Sequence, residues 1–325
     1  MNQRQFRRWR KLFTRFPFLR TWILQLKKFS LPGFGGVPIW DVAGFFIGEI
    51  QRESLAVRAS NIAFNFFIAI FPAIIFLFTL IPYIPIDNLQ AEILGLLSDL
   101  FPEDAYQLVM ETANDIIAKP RGGLLSLGFF MALYFSTNGM VAISNSFDKH
   151  YNSTFSTRNF IQTRMIAVLL TVVLASLLLM TIVLITAGNT LLQVLLERMD
   201  ILSSFSLILL NLVRWIAILL MMFFSYSFIY YFGPAVKKKF TFISTGSTLA
   251  TILTILISLG FSYYVNNFGQ YNKLYGSIGT IIALLLWIYM NAFALLIGFE
   301  LNASIGVNKD LRRLRKSKYE PETFN

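Results

Sequence analysis

The sequence of 325 residues contains no cysteine, one histidine and few charged residues. Without cysteine there is no disulfide framework, and a zinc site built from cysteine and histidine ligands is excluded. Charged residues make up 14% of the chain, against roughly 25% in soluble domains, whereas hydrophobic residues make up 56%. These proportions argue against a soluble enzyme and against a disordered chain, and they favour a single membrane domain.

Six apolar runs, with at most one charge each, are long enough to cross about 30 Å of hydrocarbon as helices. The runs are continuous, whereas the strands of a membrane barrel would alternate in polarity. The sequence therefore predicts an all-α, polytopic membrane protein with six transmembrane helices. The predicted spans are Ala59–Ile86, Gly122–Phe147, Met165–Gly188, Leu207–Phe232, Thr241–Phe268 and Gly276–Phe299.

Most of the 28 lysine and arginine residues lie before the first span, after the second and fourth spans, and in the tail. This excess predicts that both termini are cytoplasmic. The topology accounts for the net charge of +11, so anionic lipid headgroups, rather than nucleic acid, are the expected partners of the basic segments. The basic start is not followed by a short apolar core and a cleavage site, so no cleavable signal is predicted.

Two segments outside the spans have helical patterns. Val37–Leu55 mixes aromatic with charged residues and predicts an amphipathic helix in the membrane interface. Ile86–Lys119 predicts a small helical cap in the first outer loop. The predicted organisation is a basic cytoplasmic N-terminal segment (1–36), a six-helix membrane domain (37–306) with an outer helical loop at about 87–121, and a basic cytoplasmic tail (307–325).

Three stretches carry a family resemblance. They are RASNIAFNFFIAIFP (Arg58–Pro72), YYFGPAVKKKF (Tyr230–Phe240) and YNKLYGSIGTIIALLLWIYMNAFALLIGFELNA (Tyr271–Ala303). In this order they resemble the first helix, a Tyr–Pro–basic connector and the last helix of the YihY/BrkB membrane family. The resemblance implies a six-helix protein of the bacterial cytoplasmic (inner) membrane, from a family linked to serum resistance and solute export. The family was once labelled ribonuclease BN, a label regarded as a misassignment, and the resemblance transfers no catalytic residue.

The residues needed for common enzyme chemistry are missing. His150 lies in a short loop, which is a poor position for a buried base with an orienting carboxylate. The sequence has no phosphate-binding GxxxxGK[ST] loop. The acids Asp99, Glu103 and Asp104 fit a solvated helix face better than a magnesium site. We therefore predict no enzyme activity, no catalytic residue, no metal site and no cofactor.

Polar side chains within the spans are costly in lipid, so they indicate either a solute path or interhelical hydrogen bonding. Two asparagines share a face in each of the first two spans, and the fourth span contains an arginine. The fifth span has a hydroxyl residue at every third or fourth position, which forms one stripe. Both interpretations stay open for these candidates, which are Asn61, Asn65, Asn138, Asn145, Arg214, Ser244, Ser247, Thr251, Thr254 and Ser258.

Arg58 and Glu300 are expected at the same depth, at the cytoplasmic ends of the first and last spans. At 1.5 Å per residue, Glu300 lies too far from Arg214 to pair with it. A pair of Arg58 and Glu300 would join the two spans either as a gate or as a structural latch, and we favour the latch.

Two functions follow from these patterns. The first is a transporter, in particular an exporter of a small polar solute or an envelope component. The alternative is a non-transporting membrane scaffold or lipid-interacting envelope factor. A ribonuclease is disfavoured because the necessary ligands are missing. The identity of the solute is not encoded in any motif, and a homo-oligomer that completes a path is left open.

Overall fold

The computed structural model describes residues 29–52, 54–80, 83, 122–149, 151, 153–198, 204–267 and 277–319. Within these ranges there is no β-strand, and only an isolated bridge joins Phe155 to Val236. The all-α prediction is confirmed. The helices are α1 (Ile39–Arg52), α2 (Leu55–Leu80), α3 (Gly122–Ser146), α4 (Phe160–Arg198), α5 (Ser204–Phe232), α6 (Thr245–Asn267) and α7 (Ser277–Tyr319).

Helices α2 to α7 are each long and apolar enough to cross a membrane, which confirms the six predicted spans. The bounds differ most at α4 and α7, because both helices continue beyond their apolar runs. The last predicted span ends at Phe299, whereas α7 continues through the basic stretch to Tyr319. Lysine and arginine are good helix formers, so the loss of hydrophobicity does not end the helix.

Helix α1 lies within the range predicted for the interfacial helix. It begins directly after Pro38, at a position where proline ring geometry suits a helix start. Its Val42 side chain is buried, whereas Ile47 is exposed. The helix is therefore amphipathic, and its buried face packs against α7. The predicted outer cap lies outside the described residues.

Helix α7 is the common neighbour in the bundle. It packs against α1, α2 and α6, and the remaining helices add a chain of contacts in which α2 packs on α3, α3 on α4, α4 on α5 and α5 on α6. The end of the bundle with the α3–α4 and α5–α6 loops holds Lys149, Arg158 and 237–239, and we call it the basic side.

An aromatic cluster fills the core at the basic side. The rings of Phe147 and Phe299 are stacked with their centroids 4.1 Å apart, and Tyr230, Phe155 and Phe240 pack around them at 6.0–6.5 Å. Many large apolar side chains elsewhere on the spans are exposed, as expected for surfaces that contact lipid. They include Phe64, Phe71, Leu127, Phe130, Ile161, Leu178, Ile252 and Leu259.

Candidate functional site

Four charged side chains form a buried ion network at the basic side. The network consists of Glu49, Arg58, Lys149 and Glu300, whose side chains are 6%, 18%, 1% and 0% exposed. Glu300 accepts from Arg58 Nη2 at one carboxylate oxygen and from Lys149 Nζ at the other, both at 2.8 Å. Lys149 Nζ also donates to Glu49 Oε2 at 3.1 Å. Among the residues that the structure describes, two acids and two bases offset one another's charge, which lowers the cost of removing them from water.

Each member of the network comes from a different element. Glu49 lies in the last turn of α1, Arg58 in the first turn of α2, Lys149 three residues after the end of α3, and Glu300 within α7. The network therefore joins the interfacial helix to three spans. The pair of Arg58 and Glu300 expected from the sequence is present.

Polar contacts around the network fix its geometry. Tyr151 Oη donates to Glu49 Oε1 at 2.8 Å, and the Tyr151 ring packs on Phe45 at 5.2 Å. Arg58 Nη1 donates to the carbonyl of Ser146, the last residue of α3, at 2.6 Å. A cation is favourable at a helix C-terminus, because the last carbonyl groups have no partner within the helix. These contacts hold the charges in a single arrangement.

Sequence reasoning did not assign Glu49 and Lys149 to the site. Lys149 counted only toward the charge bias of a loop, and Glu49 only toward the polarity of the interfacial helix. A signal was present, because Val42 and Glu49 are seven residues apart and therefore on the same face of α1. That face is buried against the bundle.

The predicted hydroxyl stripe lies where α6 packs against its neighbours α5 and α7. Four of its five members, Ser244, Ser247, Thr251 and Thr254, are buried, and Ser258 is half-buried. Ser247 donates to the carbonyl of Ser244 at 2.8 Å, and Thr251 to that of Ser247 at 2.8 Å. The hydroxyl of Thr254 hydrogen-bonds Tyr226 on α5 at 2.5 Å.

Asn302 and two glycines complete this contact between α6 and α7. The Asn302 amide donates to Ser244 Oγ at 2.9 Å and accepts from the backbone of Gly246 at 2.8 Å. A Cβ on Gly298 would lie 2.6 Å from the Gly246 carbonyl oxygen, which is too close for any side chain. The hydroxyl residues therefore line a closely packed helix contact in this arrangement.

The asparagine candidates lie apart from the stripe. Asn65 is half-buried and donates to the carbonyl and side-chain oxygens of exposed Asn61, at 2.9 and 3.0 Å. Asn138 accepts from Arg164 Nη1 at 2.5 Å, which joins α3 to α4. Asn145 is exposed and lines a cleft at the basic side.

Arg214 is half-buried on α5, next to exposed Val213 and Trp215. The structure therefore brings together Arg58 and Glu300, and separately the members of the stripe, whereas the asparagines and Arg214 form no single site with them. Among the residues that the structure describes, no cluster of three or more acids and histidines could hold a metal ion.

Comparison with known proteins identifies the family of the chain. The sequence profile of the family described as Virulence factor BrkB matches residues 46–322. The chain belongs to this family. A relative from Bacillus subtilis, YfkH, whose name describes it as ribonuclease-like, is 31% identical over 78% of this chain and 91% of its own length.

Two further relatives are named UPF0761 membrane proteins. The protein of Tolumonas auensis is 24% identical over 83% of this chain and 88% of its own, and that of Vibrio campbellii is 23% identical over 81% of each chain. No solved structure matches the chain. With the six spans, these relatives identify an integral membrane protein of the BrkB/UPF0761 family.

Proposed function

We propose that this BrkB-family protein is a transporter, in particular an exporter, that moves a small polar solute or envelope component across the bacterial inner membrane. In this proposal both termini are cytoplasmic, and the ion network is the cytoplasmic gate, closed in the present arrangement. The observation that carries the proposal is the burial of two acids and two bases from four elements at one end of the spans.

The physical reason lies in the balance between burial and hydration. A buried ion pair gains Coulomb energy but loses hydration, so its net contribution to a closed state is small. When the elements separate, water hydrates all four charges and offsets the lost contacts. An apolar contact of the same area would instead expose hydrocarbon to water, at about 25 cal/mol per Å². A contact made by an ion network is therefore easier to open and close than an apolar contact of the same area.

The path through the membrane remains a proposal. Its candidates are Asn61, Asn65, Asn138 and Arg214, whereas four hydroxyl residues of the stripe are buried between closely packed helices. Basic residues at the cytoplasmic ends would contact anionic headgroups. A second copy of the chain could contribute the other wall of the path.

One observation favours the alternative, a non-transporting scaffold. Four hydroxyl residues of the stripe are buried where α6 packs against α5 and α7, which supports close packing rather than a water-filled wall. In that case the ion network is a structural latch that never opens.

A reversible cross-link distinguishes the two functions. The double variant Arg58→Cys/Glu300→Cys removes one acid and one base and leaves the pair of Lys149 and Glu49. It is reconstituted in proteoliposomes loaded with a mixture of isotope-labelled sugars, polyols and amino acids, and efflux is followed by mass spectrometry. A reducible bifunctional thiol reagent should stop the efflux of at least one solute, and reductant should restore it.

The single variants Arg58→Cys and Glu300→Cys are the controls, and the same reagent should not change the efflux that each of them shows without it. The wild-type chain has no cysteine and cannot react. Efflux that is unchanged by the cross-link would contradict the gate. If the efflux of every solute equals that of loaded liposomes without protein, the result would favour the scaffold.

A further inference from the structure

A polar cleft opens at the basic side, between the end of α3, the segment before α4 and the end of α5. Its volume is about 340 Å³. The lining includes Ser144, Asn145, Asp148, Arg158 and Thr163. Lys149 also lines the cleft, but its ammonium is bound by Glu49 and Glu300 of the ion network. The lining thus combines one acid, two bases, an amide and hydroxyl groups, which suits a small polar ligand with charges of both signs.

Arg158 is fixed in the cleft and keeps spare donors. Its guanidinium donates to the carbonyl groups of Phe232, Gly233 and Pro234 at 3.2, 2.8 and 2.8 Å, where α5 ends. Three of its five N–H groups are thereby used, and two are left for another acceptor. The carbonyl groups at the end of α5 therefore hold the Arg158 guanidinium in place and leave two of its N–H groups for a ligand.

Asp148 lies in the same cleft without an ion-pair partner. Within the described part of the chain its carboxylate makes no side-chain hydrogen bond and no ion pair, although it senses the charge of Arg158. Two opposite charges thus line one cleft without contact. Desolvation raises the pKa of Asp148, and the nearby guanidinium only partly offsets this. The residue is nevertheless exposed, so a bound cation can reach its carboxylate.

Ser144 gives an independent indication of a ligand. The residue is 4% exposed and lines the cleft, and its hydroxyl has no hydrogen-bond partner among the described residues. A buried polar group without a partner destabilises the fold, so it needs an explanation. A ligand atom in the cleft would supply the missing partner.

We propose that this cleft binds a small zwitterion, with its ammonium at Asp148 and its carboxylate or phosphate at Arg158 and Ser144. Such a group can be a free amino-acid-like solute or the headgroup of a zwitterionic phospholipid, since both carry an ammonium close to an anionic oxygen. A single cation or anion matches only one of the two charges. The proposal concerns equilibrium binding and does not require transport.

The first test uses the full chain, purified in a maltoside detergent without phospholipid. O-phosphoethanolamine and glycine are titrated by calorimetry, with ethanolamine and inorganic phosphate for comparison. The zwitterions should bind at least tenfold more tightly than either half alone. Asp148→Asn should weaken binding at least tenfold, whereas Asp41→Asn, which removes a carboxylate from α1 outside the cleft, should leave binding unchanged.

Ser144→Ala separates a ligand contact from a structural role. The substitution removes a hydroxyl that has no partner in the fold, so thermal stability should stay the same or rise, while zwitterion binding should weaken severalfold. A loss of stability together with unchanged binding would assign Ser144 to packing and contradict its place in the site.

The source of the zwitterion is tested in nanodiscs that contain equal amounts of phosphatidylethanolamine and phosphatidylglycerol. Lipid retained after detergent exchange is quantified for the wild type, Asp148→Asn and Asp41→Asn. Selective retention of phosphatidylethanolamine that only Asp148→Asn abolishes would identify a headgroup site. Binding of glycine and phosphoethanolamine without selective lipid retention would identify a free solute. If neither the binding of the soluble zwitterions nor the retention of lipid depends on Asp148, the proposal is wrong.

Discussion

At the residue scale, Glu300 is the most constrained charge of the described chain. Its side chain is fully buried, and its two oxygens bind two different cations. A carboxylate in this position is tolerated only because both oxygens are satisfied. Removal of its charge leaves Arg58 and Lys149 with one fewer anion between them.

We expect Glu300→Gln to lower the free energy of unfolding by about 3–5 kcal/mol, because breaking a buried ion pair leaves an uncompensated charge. Unfolding in mixed detergent micelles with increasing sodium dodecyl sulfate measures this change. The control is Asp41→Asn, which breaks the pair with Arg312 at 3.0 Å, in which each side chain is 43% exposed. An exposed pair contributes about 0–1 kcal/mol, so equal losses in the two variants would contradict the buried network.

Asp148 is expected to give stability a pH dependence. Desolvation raises its pKa above the usual value of 3.8, and Arg158 only partly opposes the rise. Between the pH of the usual pKa and that of the raised pKa, the folded chain therefore binds more protons than the unfolded chain. The free energy of unfolding falls as the pH rises through this range. Asp148→Asn should have a higher thermal midpoint than the wild type at neutral pH. The difference should disappear when the pH is below the usual pKa of aspartate. A lower midpoint at neutral pH would show that the carboxylate is stabilising instead.

The depth of a charge could be predicted from the sequence, but its lateral neighbours could not. Arg58 and Glu300 were matched because each residue of a span adds 1.5 Å of depth. Glu49 and Lys149 lie at the same level, but their inclusion depends on how α1 packs beside α7 and on the turn after α3. Those arrangements result from packing between elements that are distant in sequence.

At the element scale, the contact of α6 with α7 depends on small residues. Gly246 and Gly298 bring the two backbones together, and Asn302 connects them through hydrogen bonds to Gly246 and Ser244. The spacing of the hydroxyl residues places them on one face of α6. The same spacing could not decide between a wet and a dry face, because that depends on which helix lies opposite.

Gly298→Ala should destabilise the protein by about 1–3 kcal/mol, since the added methyl group would collide with α6 and with Tyr230. Gly260→Ala is a matched control on α6, because a Cβ there meets nothing within 4 Å. The control should be neutral or slightly stabilising, as alanine loses less backbone entropy than glycine. Thermal unfolding followed by circular dichroism compares them, and equal midpoints would argue against the close contact.

At the scale of the whole molecule, hydrophobic run length was sufficient to predict the number of spans. It was not sufficient to predict where the helices end, because α4 and α7 continue into polar sequence. The charge bias that orients the spans acts during membrane insertion, and the packing of the helices does not report on which side each loop lies. The orientation of the termini therefore remains a prediction.

Single cysteines test that orientation, since the chain has none of its own. With both termini cytoplasmic, Asp99→Cys should react with a membrane-impermeant maleimide in intact cells. Lys238→Cys, in the exposed α5–α6 loop, should react only after permeabilisation. The wild-type chain gives the unlabelled background. The reverse pattern would invert the topology and place the ion network on the outer side.

The length of α7 has a mechanical consequence. Its 43 residues correspond to about 65 Å at 1.5 Å per residue, roughly twice the thickness of the hydrocarbon layer. The distal part is attached by Thr154 to Asp310 and by Arg312 to Asp41. If this helix tilts as a single rod about Glu300, it acts as a lever and carries the attached segments with it. A tilt of about 10° within the bilayer would move a point 30 Å beyond the fulcrum by about 5 Å. Small rearrangements in lipid would thus be amplified at the far end of the rod, outside the bilayer.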